Sequence, residues 1–210
     1  MIRYVLRRIA KRALDVVLSA ALLVPAAPII AACAALVWLF SPGPVIFRQL
    51  REGRRGRPFT LFKLRTMRVD AEQALQDVLA RDPAARAEWA QYRRLHKDPR
   101  LVPVVGRWLR RRSLDELPQL WNVLRGDMSL VGPRPLELFV LARFPTDERR
   151  RRASVRPGIT GAWQVSGRSD TDLDTMWAID ARYVREWTLR GDLEILAQTP
   201  RAVLDRRGAY

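Results

Sequence analysis

The sequence predicts an α/β fold that is mostly helical, with a kinked re-entrant membrane helix in residues 1–44 and a compact domain with a small β-hairpin in residues 45–210. The first observation is an uncharged apolar run from Val16 to Phe40. At about 1.5 Å per residue it is long enough to cross a hydrocarbon core of about 30 Å. The second is that 48% of the 210 residues are hydrophobic and seven are Trp, which excludes a disordered chain.

The charge balance points to anionic partners. The chain holds 38 Lys and Arg against 22 Asp and Glu, a formal net charge of +16. Such an excess is typical of proteins that bind nucleic acid, an anionic membrane surface or phosphorylated substrates. A single cysteine, Cys33, excludes an internal disulfide framework, and a single histidine, His96, excludes a His-rich metal site. Carboxylates are therefore the best candidates for any chemistry.

The N-terminal segment predicts a helix that enters the membrane and returns. Basic residues alternate with apolar ones over residues 1–12, which predicts an amphipathic helix lying against a membrane surface. Pro25 and Pro28 lie near the middle of the apolar run and predict a sharp kink between two half-helices. Basic clusters flank both ends of the run, and the positive-inside rule places both on the cytoplasmic side. An ordinary kinked transmembrane helix and a cleaved signal peptide are the alternatives.

The next segment predicts a hairpin and two helices. Apolar runs at residues 45–47 and 59–62 flank the polar sequence of residues 53–57, which is typical of two strands joined by a basic loop. Asp70 and then Asp82-Pro83 are typical helix starts, and they predict helices to about residues 81 and 95. This charged pair is interpreted as a solvated insertion.

Helices and turn-rich loops follow. Apolar residues at helical spacing over residues 117–124 predict an amphipathic helix that ends at the glycine after it. Turn-forming residues dominate residues 126–135 and 156–168, so we expect loops there. Residues 173–204 are typical of two helices around Gly191.

Asp115 and Glu116 are the candidate catalytic residues, and two interpretations of them are open. Ser113 and Glu116 have the spacing of a capping box, and acidic residues suit the first turn of a helix. Pro118 fits the first turn better if Asp115 is the cap. The other interpretation is an anion site, because a helix N-terminus beside Arg110 binds phosphate oxygens well.

Two adjacent carboxylates in an anion site suit phosphoryl chemistry. One carboxylate could bind a divalent cation while the other attacks phosphorus, because Mg²⁺ takes one or two carboxylates together with substrate phosphates. The chain contains neither a Walker lysine loop nor a GxGxxG motif, so other cations must hold the phosphates. Lys63, Arg65 and Arg134 are candidates, with simple surface solubility as the alternative for each.

Four motifs occur in order after the apolar run: SPGPVIFRQ, PFTLFKLRTM, RRSLDELPQLWNVLRGDMSLVGPRP and RPGITGAWQVSGR. Together they resemble the bacterial sugar transferase family, the monotopic phosphoglycosyl transferases, over about residues 9–202. The resemblance implies transfer of a sugar 1-phosphate from a UDP-sugar to polyprenyl (undecaprenyl) phosphate, with Mg²⁺ and release of UMP. This reaction initiates exopolysaccharide, O-antigen or capsule assembly at the cytoplasmic face of the bacterial inner membrane. The insertion at residues 70–98 and the wording GAWQVSGRS resemble the branch that primes with a hexose 1-phosphate.

The resemblance also implies roles for single residues. Asp115 would be the nucleophile that forms a phosphosugar-aspartyl intermediate, and Glu116 would ligate Mg²⁺. The substrate-binding candidates are basic or amide side chains in or directly beside the same motifs: Lys63, Arg65, Arg110, Arg134, Gln164 and Arg168. The family kinks its re-entrant helix at a Ser-Pro pair, and this chain has Ala27-Pro28 with an additional Pro25.

Two other classes of protein compete with this interpretation. A membrane-tethered nucleic-acid binder would interleave aromatic residues with its basic runs, and no recognised nucleic-acid motif occurs. A non-catalytic scaffold of the same fold would have no need of Asp115 and Glu116. The expected partners are therefore a UDP-sugar, polyprenyl phosphate and membrane lipids, without nucleic acid, and with a second copy of the chain as a further candidate.

Overall fold

The computed structural model describes residues 2–92, 95–166 and 172–205. In chain order the described elements are α1 (Ile2–Phe40), β1 (Ile46–Glu52), β2 (Pro58–Leu64), α2 (Ala71–Arg81), α3 (Pro83–Tyr92), α4 (Val105–Arg111), α5 (Gln119–Arg125), β3 (Ser129–Val131), α6 (Leu138–Leu141), α7 (Thr146–Arg152), β4 (Gly158–Thr160), α8 (Ala162–Ser166), α9 (Leu173–Arg185) and α10 (Leu189–Leu204). The mostly helical class with a small hairpin is confirmed.

The N-terminal helix α1 is one helical element that continues through Pro25 and Pro28. The two predicted half-helices are therefore not separated by a break, and a sharp kink stays a prediction. The helix is long and apolar enough from Val5 to Phe40 to cross a membrane. Its buried residues recur at intervals of four or seven positions and form one stripe, as expected for a helix that packs on one side only. They are Asp15, Ser19, Ala26, Cys33 and Val37.

Two basic side chains near the start of α1 point into the protein. The Lys11 ammonium lies 2.8 Å from the Asp192 carboxylate and donates to the Val131 carbonyl oxygen at 3.1 Å. The Arg12 guanidinium donates to the carbonyl oxygens of residues 123–124 at 2.7 and 2.9 Å. Those carbonyls lie in the last turn of α5, where the helix dipole is negative and favours a cation. The prediction that the N-terminal basic residues lie against a membrane surface is therefore wrong for these two.

The predicted hairpin is confirmed. Strands β1 and β2 pair antiparallel from Ile46 opposite Leu64 to Glu52 opposite Pro58. The free edge of β2 is bound by Asn122 of α5, which is fully buried. Its side-chain oxygen accepts from the amide of residue 62 at 3.0 Å, and its side-chain nitrogen donates to the carbonyl of residue 60 at 2.7 Å. The hairpin is thus held to the helix that follows the candidate site.

The turn-rich segments form a second, parallel pair of strands. Ser129 pairs with Gly158 and Val131 with Thr160, so the expectation of loops alone is wrong for residues 129–131 and 158–160. A Cβ on Gly158 would come within 2.1 Å of a backbone nitrogen of the neighbouring strand segment, so only glycine fits at this approach. The short helix α8 also lies inside the predicted loop.

The remaining helices differ little from the prediction. Helix α5 ends at Gly126, which has φ of 91°. The break between α9 and α10 lies at residues 186–188, three residues before Gly191, whose amide is capped by the Thr188 hydroxyl. Helices α2 and α3 pack on each other in a small separate hydrophobic cluster, as expected for an insertion.

Two hydrophobic clusters join α1 to the rest of the chain. In the first, Ala26 packs with buried residues of β2, α5, β3 and α10. In the second, Cys33 and Val37 pack with Leu64 and with residues of α4. Both halves of α1 therefore contribute to the core, and the division at residue 44 does not separate two independently packed units.

Candidate active site

A cavity of about 780 Å³ lies between α1, β2, the turn that precedes α5, the segment after β3, and the last helix, α10. It brings together most of the predicted site residues. Asp115 and Glu116 lie on its wall with Lys63, Arg110 and Arg134.

The acidic pair lies on a short 3₁₀ turn, Leu114–Glu116. Ser113 enters the turn in the left-handed conformation, with φ of 54°, and its side chain makes no capping hydrogen bond. Helix α5 starts only after Pro118, again without a side-chain cap. Neither capping interpretation of the acidic pair is therefore correct. Asp115 is only 7% exposed, and within the described part of the chain its carboxylate oxygens accept no hydrogen bond.

Glu116 is held by a cation. Its carboxylate accepts from Arg134 at 3.0 Å. The backbone around Arg134 is fixed in turn, because the carbonyl of residue 133 accepts from the Gly158 amide at 2.9 Å and Arg152 donates to the Arg134 carbonyl oxygen. Arg152 is itself paired at 2.7 Å with Asp180, which is 1% exposed. A rigid network therefore presents the Arg134 guanidinium to the site.

The other two cations come from different elements. Lys63 lies on β2 directly opposite Phe47, and its ammonium is 5.2 Å from the centre of that ring. Arg110, near the end of α4, donates to the Thr66 hydroxyl at 2.9 Å. Both side chains are thus oriented by uncharged partners, so these contacts do not neutralise the positive charges that they bring to the cavity.

The electrostatics of the pair favour a reactive carboxylate. Burial and, to a smaller extent, the adjacent Glu116 raise the pKa of Asp115 to about 6, against the opposing charges of Lys63 and Arg110. Burial lowers the pKa of Lys63, whereas Glu116 raises the pKa of Arg134. At pH 7.5 Asp115 is therefore mostly ionised, yet more basic than an exposed aspartate and correspondingly more nucleophilic.

The residues also suit a divalent cation that shares its coordination with a substrate. No group of three or more His, Cys, Asp or Glu that could hold a metal occurs within the described residues. Asp115 and Glu116 supply two adjacent carboxylates, and no donor among the described residues forms a hydrogen bond to the Asp115 oxygens. Mg²⁺ is bound in this way in sites where phosphates complete its shell, so the donor set fits it.

The other predicted residues are placed differently. Gln164 lies on the cavity wall and donates to the Ile159 carbonyl oxygen at 3.0 Å. Arg65 is buried outside the lining residues, where its guanidinium donates to the Ser41 carbonyl oxygen. Arg168 lies outside the residues that the structure describes. Of the two prolines only Pro25 lines the cavity.

Several lining residues were not predicted. Arg51 and Glu137 form an ion pair at 2.9 Å on the cavity wall. Arg51 could have been found, because strand periodicity places it on the same hairpin face as Lys63 once the register is known. Thr160 and Trp163 come from segments that were predicted to be loops. For Glu137 the sequence carries no distinguishing signal.

The comparisons with known proteins identify the family. The family model for bacterial sugar transferases matches residues 6–206. An undecaprenyl-phosphate galactose phosphotransferase of Salmonella typhimurium is 45% identical over 97% of this chain, which spans 42% of that protein's length. An exopolysaccharide production protein of Sinorhizobium fredii, ExoY, is 41% identical over 96% of this chain and 88% of its own length. A UDP-glucose:undecaprenyl-phosphate glucose-1-phosphate transferase of Caulobacter vibrioides is 41% identical over 95% of this chain and 72% of its own.

Proposed function

The chain belongs to the bacterial sugar transferase family, and from that premise we propose that it transfers a hexose 1-phosphate from a UDP-sugar to undecaprenyl phosphate and releases UMP. The observation that carries the proposal is the carboxylate of Asp115, which accepts no hydrogen bond from the described residues and lies beside Glu116 in a cavity lined by cations. The names of relatives specify undecaprenyl phosphate as acceptor and either galactose or glucose as sugar. The product would initiate the assembly of an exopolysaccharide, O-antigen or capsule.

The reaction would proceed in two displacements. An Asp115 oxygen attacks the phosphorus that bears the sugar, and the bridging oxygen of the diphosphate leaves with UMP. A phosphate oxygen of the acceptor then attacks the same phosphorus, and the Asp115 carboxylate is released. The aspartyl phosphate keeps the sugar phosphate in a reactive form between the two displacements. A covalent intermediate thereby splits one difficult step into two easier ones.

The cations would make attack by an anion on an anion feasible. Lys63, Arg110 and Arg134 surround the acidic pair and offset the repulsion between Asp115 and the diphosphate. Glu116, oriented by Arg134, would be the Mg²⁺ ligand, with a free Asp115 oxygen close by. Mg²⁺ supplies charge neutralisation at the phosphates and the leaving group.

The packing of α1 supports a shallow placement in the membrane with both ends on the cytoplasmic side. Asp15 and Val37 both contact the domain, and along a helix they are about 33 Å apart. A spanning α1 would draw the domain into the hydrocarbon core, where its charged groups carry a large penalty. The opposite face of α1 is apolar and exposed, as at Val17, Val24 and Leu39.

Thiol labelling tests this sidedness. Cys33 is buried, so Arg7→Cys and Arg57→Cys would each supply one exposed thiol. We expect a membrane-impermeant reagent to label neither variant in intact cells and both after permeabilisation. Labelling of Arg7→Cys in intact cells would establish a transmembrane orientation instead.

The activity is tested with the purified full chain, undecaprenyl phosphate, Mg²⁺ and a panel of UDP-sugars. We expect UMP release and a lipid diphosphate sugar with at least one UDP-hexose. Release of UDP would indicate glycosyl transfer, and no turnover with any sugar would favour the non-catalytic scaffold.

A further inference from the structure

We infer that the isoprenoid chain of the acceptor lies in a slot between α1 and α10, so that the last helix is part of the acceptor site. The slot is the apolar arm of the cavity, and its walls are Leu22, Pro25 and Ile29 of α1 and Leu196 and Val203 of α10. The inference rests on the proposed function, because it takes a lipid phosphate as the second substrate.

The two walls are formed by matching helix faces. On α1 the lining residues are spaced three and four positions apart at residues 22, 25 and 29. On α10 the same spacing occurs at residues 196, 199 and 203. Positions three and four apart share one face of a helix, so each helix presents a continuous strip to the cavity. The slot is therefore built from regular elements rather than from loop ends.

The chemistry of the slot selects a hydrocarbon. Its side chains are aliphatic, and the Thr199 hydroxyl that interrupts them donates to the Ile195 carbonyl oxygen at 2.7 Å and lies 2.9 Å from the Thr160 hydroxyl. A sugar or a uracil placed there would lose hydrogen bonds to water without replacement. An isoprenoid chain has no such groups to satisfy and gains from leaving water.

The cavity wall beside the slot is more polar, and Thr160 there contacts Thr199 of α10 at 2.9 Å. This wall is lined by Thr160, Trp163 and Gln164, which carry a hydroxyl, an indole and an amide. Such groups suit the sugar and nucleotide of the donor. The donor and the acceptor chain would thus contact different lining residues.

The slot is continuous with the outer surface of α1. Leu22 and Ile29 line it and are still 49% and 44% exposed, on a helix whose free face is apolar. At its inner end lie Asp115 and the cations that would receive a phosphate. These two ends match the acceptor. Its phosphate would lie next to Asp115, and its isoprenoid chain would leave between α1 and α10 toward the lipid.

Polar substitutions in the slot test the inference. Leu196→Asn and Ile29→Asn should each raise the KM for undecaprenyl phosphate about tenfold or more, through lost apolar contact. The release of UMP in the absence of acceptor should stay within about twofold of wild type, because neither residue belongs to the polar wall or to the cations. Matched controls are Leu193→Asn on α10 and Val24→Asn on α1, both exposed and outside the cavity, which should change neither quantity.

An unchanged acceptor KM in Leu196→Asn and Ile29→Asn would overturn the inference, as would a rise of equal size in the controls.

A wild-type protein that releases no UMP would contradict the proposed function, and the slot would still be tested by photo-crosslinking. A polyprenyl phosphate with a photoreactive group in its first isoprene units should label the α10 peptide, residues 189–204. Crosslinks confined to α8 would overturn the inference.

Discussion

Two regions of the molecule bury carboxylates among cations, and they differ in how completely those carboxylates are satisfied. Beneath α1 lies an anchor cluster, defined as Lys11, Asp15, Ser129, Tyr183 and Asp192. In it Asp15 accepts from the Ser129 hydroxyl and the Leu130 amide, both at 3.0 Å. Asp192 accepts from Tyr183 at 2.7 Å and is paired with Lys11 at 2.8 Å.

The candidate active site has the opposite arrangement. Asp115 is almost as buried as the anchor carboxylates, yet its oxygens accept no hydrogen bond from the described residues. The Asp115 oxygens are not among the fully buried orphaned atoms of the described residues, so they face the open cavity, where a ligand can reach them beside the cations. In the anchor cluster, by contrast, burial and Asp192 raise the pKa of Tyr183, which keeps its hydroxyl protonated as a donor. One cluster is built for stability and the other for reaction.

The largest effect is expected when the reactive carboxylate is removed. Asp115→Asn keeps the shape of the side chain but removes the nucleophile, so turnover should fall about a thousandfold or more, with UDP-sugar binding largely intact. Glu116→Gln should also be severe. Initial rates of UMP release and calorimetric UDP-sugar binding measure these quantities. If Asp115→Asn kept more than about a tenth of wild-type turnover, covalent catalysis by this residue would be untenable.

Breaking the anchor cluster should affect stability rather than chemistry. Lys11→Met leaves the fully buried Asp192 without its cation, and removing one partner of a buried ion pair costs about 3 to 5 kcal/mol. Denaturant unfolding in detergent measures the loss, and Arg7→Met is the matched control because Arg7 is exposed on the same helix. If Lys11→Met lost no more free energy of unfolding than Arg7→Met, the proposed stabilising role of the anchor cluster would be contradicted.

The same Asp115→Asn substitution should stabilise the fold at neutral pH. The folded pKa of about 6 lies above the ordinary value of 3.8, so the folded state favours the protonated acid. The Asp115 side chain makes its full contribution to the free energy of unfolding below about pH 4, and this contribution is lost as the pH rises through 6. Without divalent cations, Asp115→Asn should therefore gain roughly 2 to 3 kcal/mol at pH 7.5 and little at pH 4. A gain that does not depend on pH would show that Asp115 carries no such strain.

The smallest effect is expected when Lys63 of β2 is compared with Arg65, which lies just after the end of that strand. Lys63→Met removes a charge from the cavity and should raise the KM for the UDP-sugar about tenfold. Arg65→Met should change that KM less than about threefold in the folded protein, because Arg65 lies outside the cavity lining. Steady-state kinetics of both variants decides. Equal rises would mean that Arg65 reaches the substrate after all.

The local elements of the fold were predictable from the sequence, and the pairing of distant segments was not. Apolar runs on both sides of the polar residues 53–57 predicted the hairpin, and helical spacing ending at Gly126 predicted α5. Strands β3 and β4 have three residues each and lie far apart in the chain, so they leave no periodic signal. The direction of Lys11 was also hidden, because only the folded chain brings Asp192 to it.

The candidate site was predicted in its chemistry more than in its extent. Asp115, Glu116 and three of the proposed cations meet in one cavity, because their motifs carry them on neighbouring elements. Arg65 lies outside the cavity lining, because β2 ends at Leu64 and its strand alternation does not carry over to Arg65, whose guanidinium donates to the Ser41 carbonyl oxygen. The aliphatic slot was not foreseen, because it needs α1 and α10 to face each other across the cavity.

The covalent role of Asp115 is tested most directly by a single incubation of the protein with a UDP-hexose labelled in the sugar, without acceptor. We expect about one UMP released per protein molecule and a phosphosugar on the peptide that contains Asp115, which disappears when undecaprenyl phosphate is added. The Asp115→Asn variant should give neither. Turnover with acceptor, intersecting double-reciprocal plots and no trappable adduct would contradict this account and assign the attack to the lipid phosphate itself.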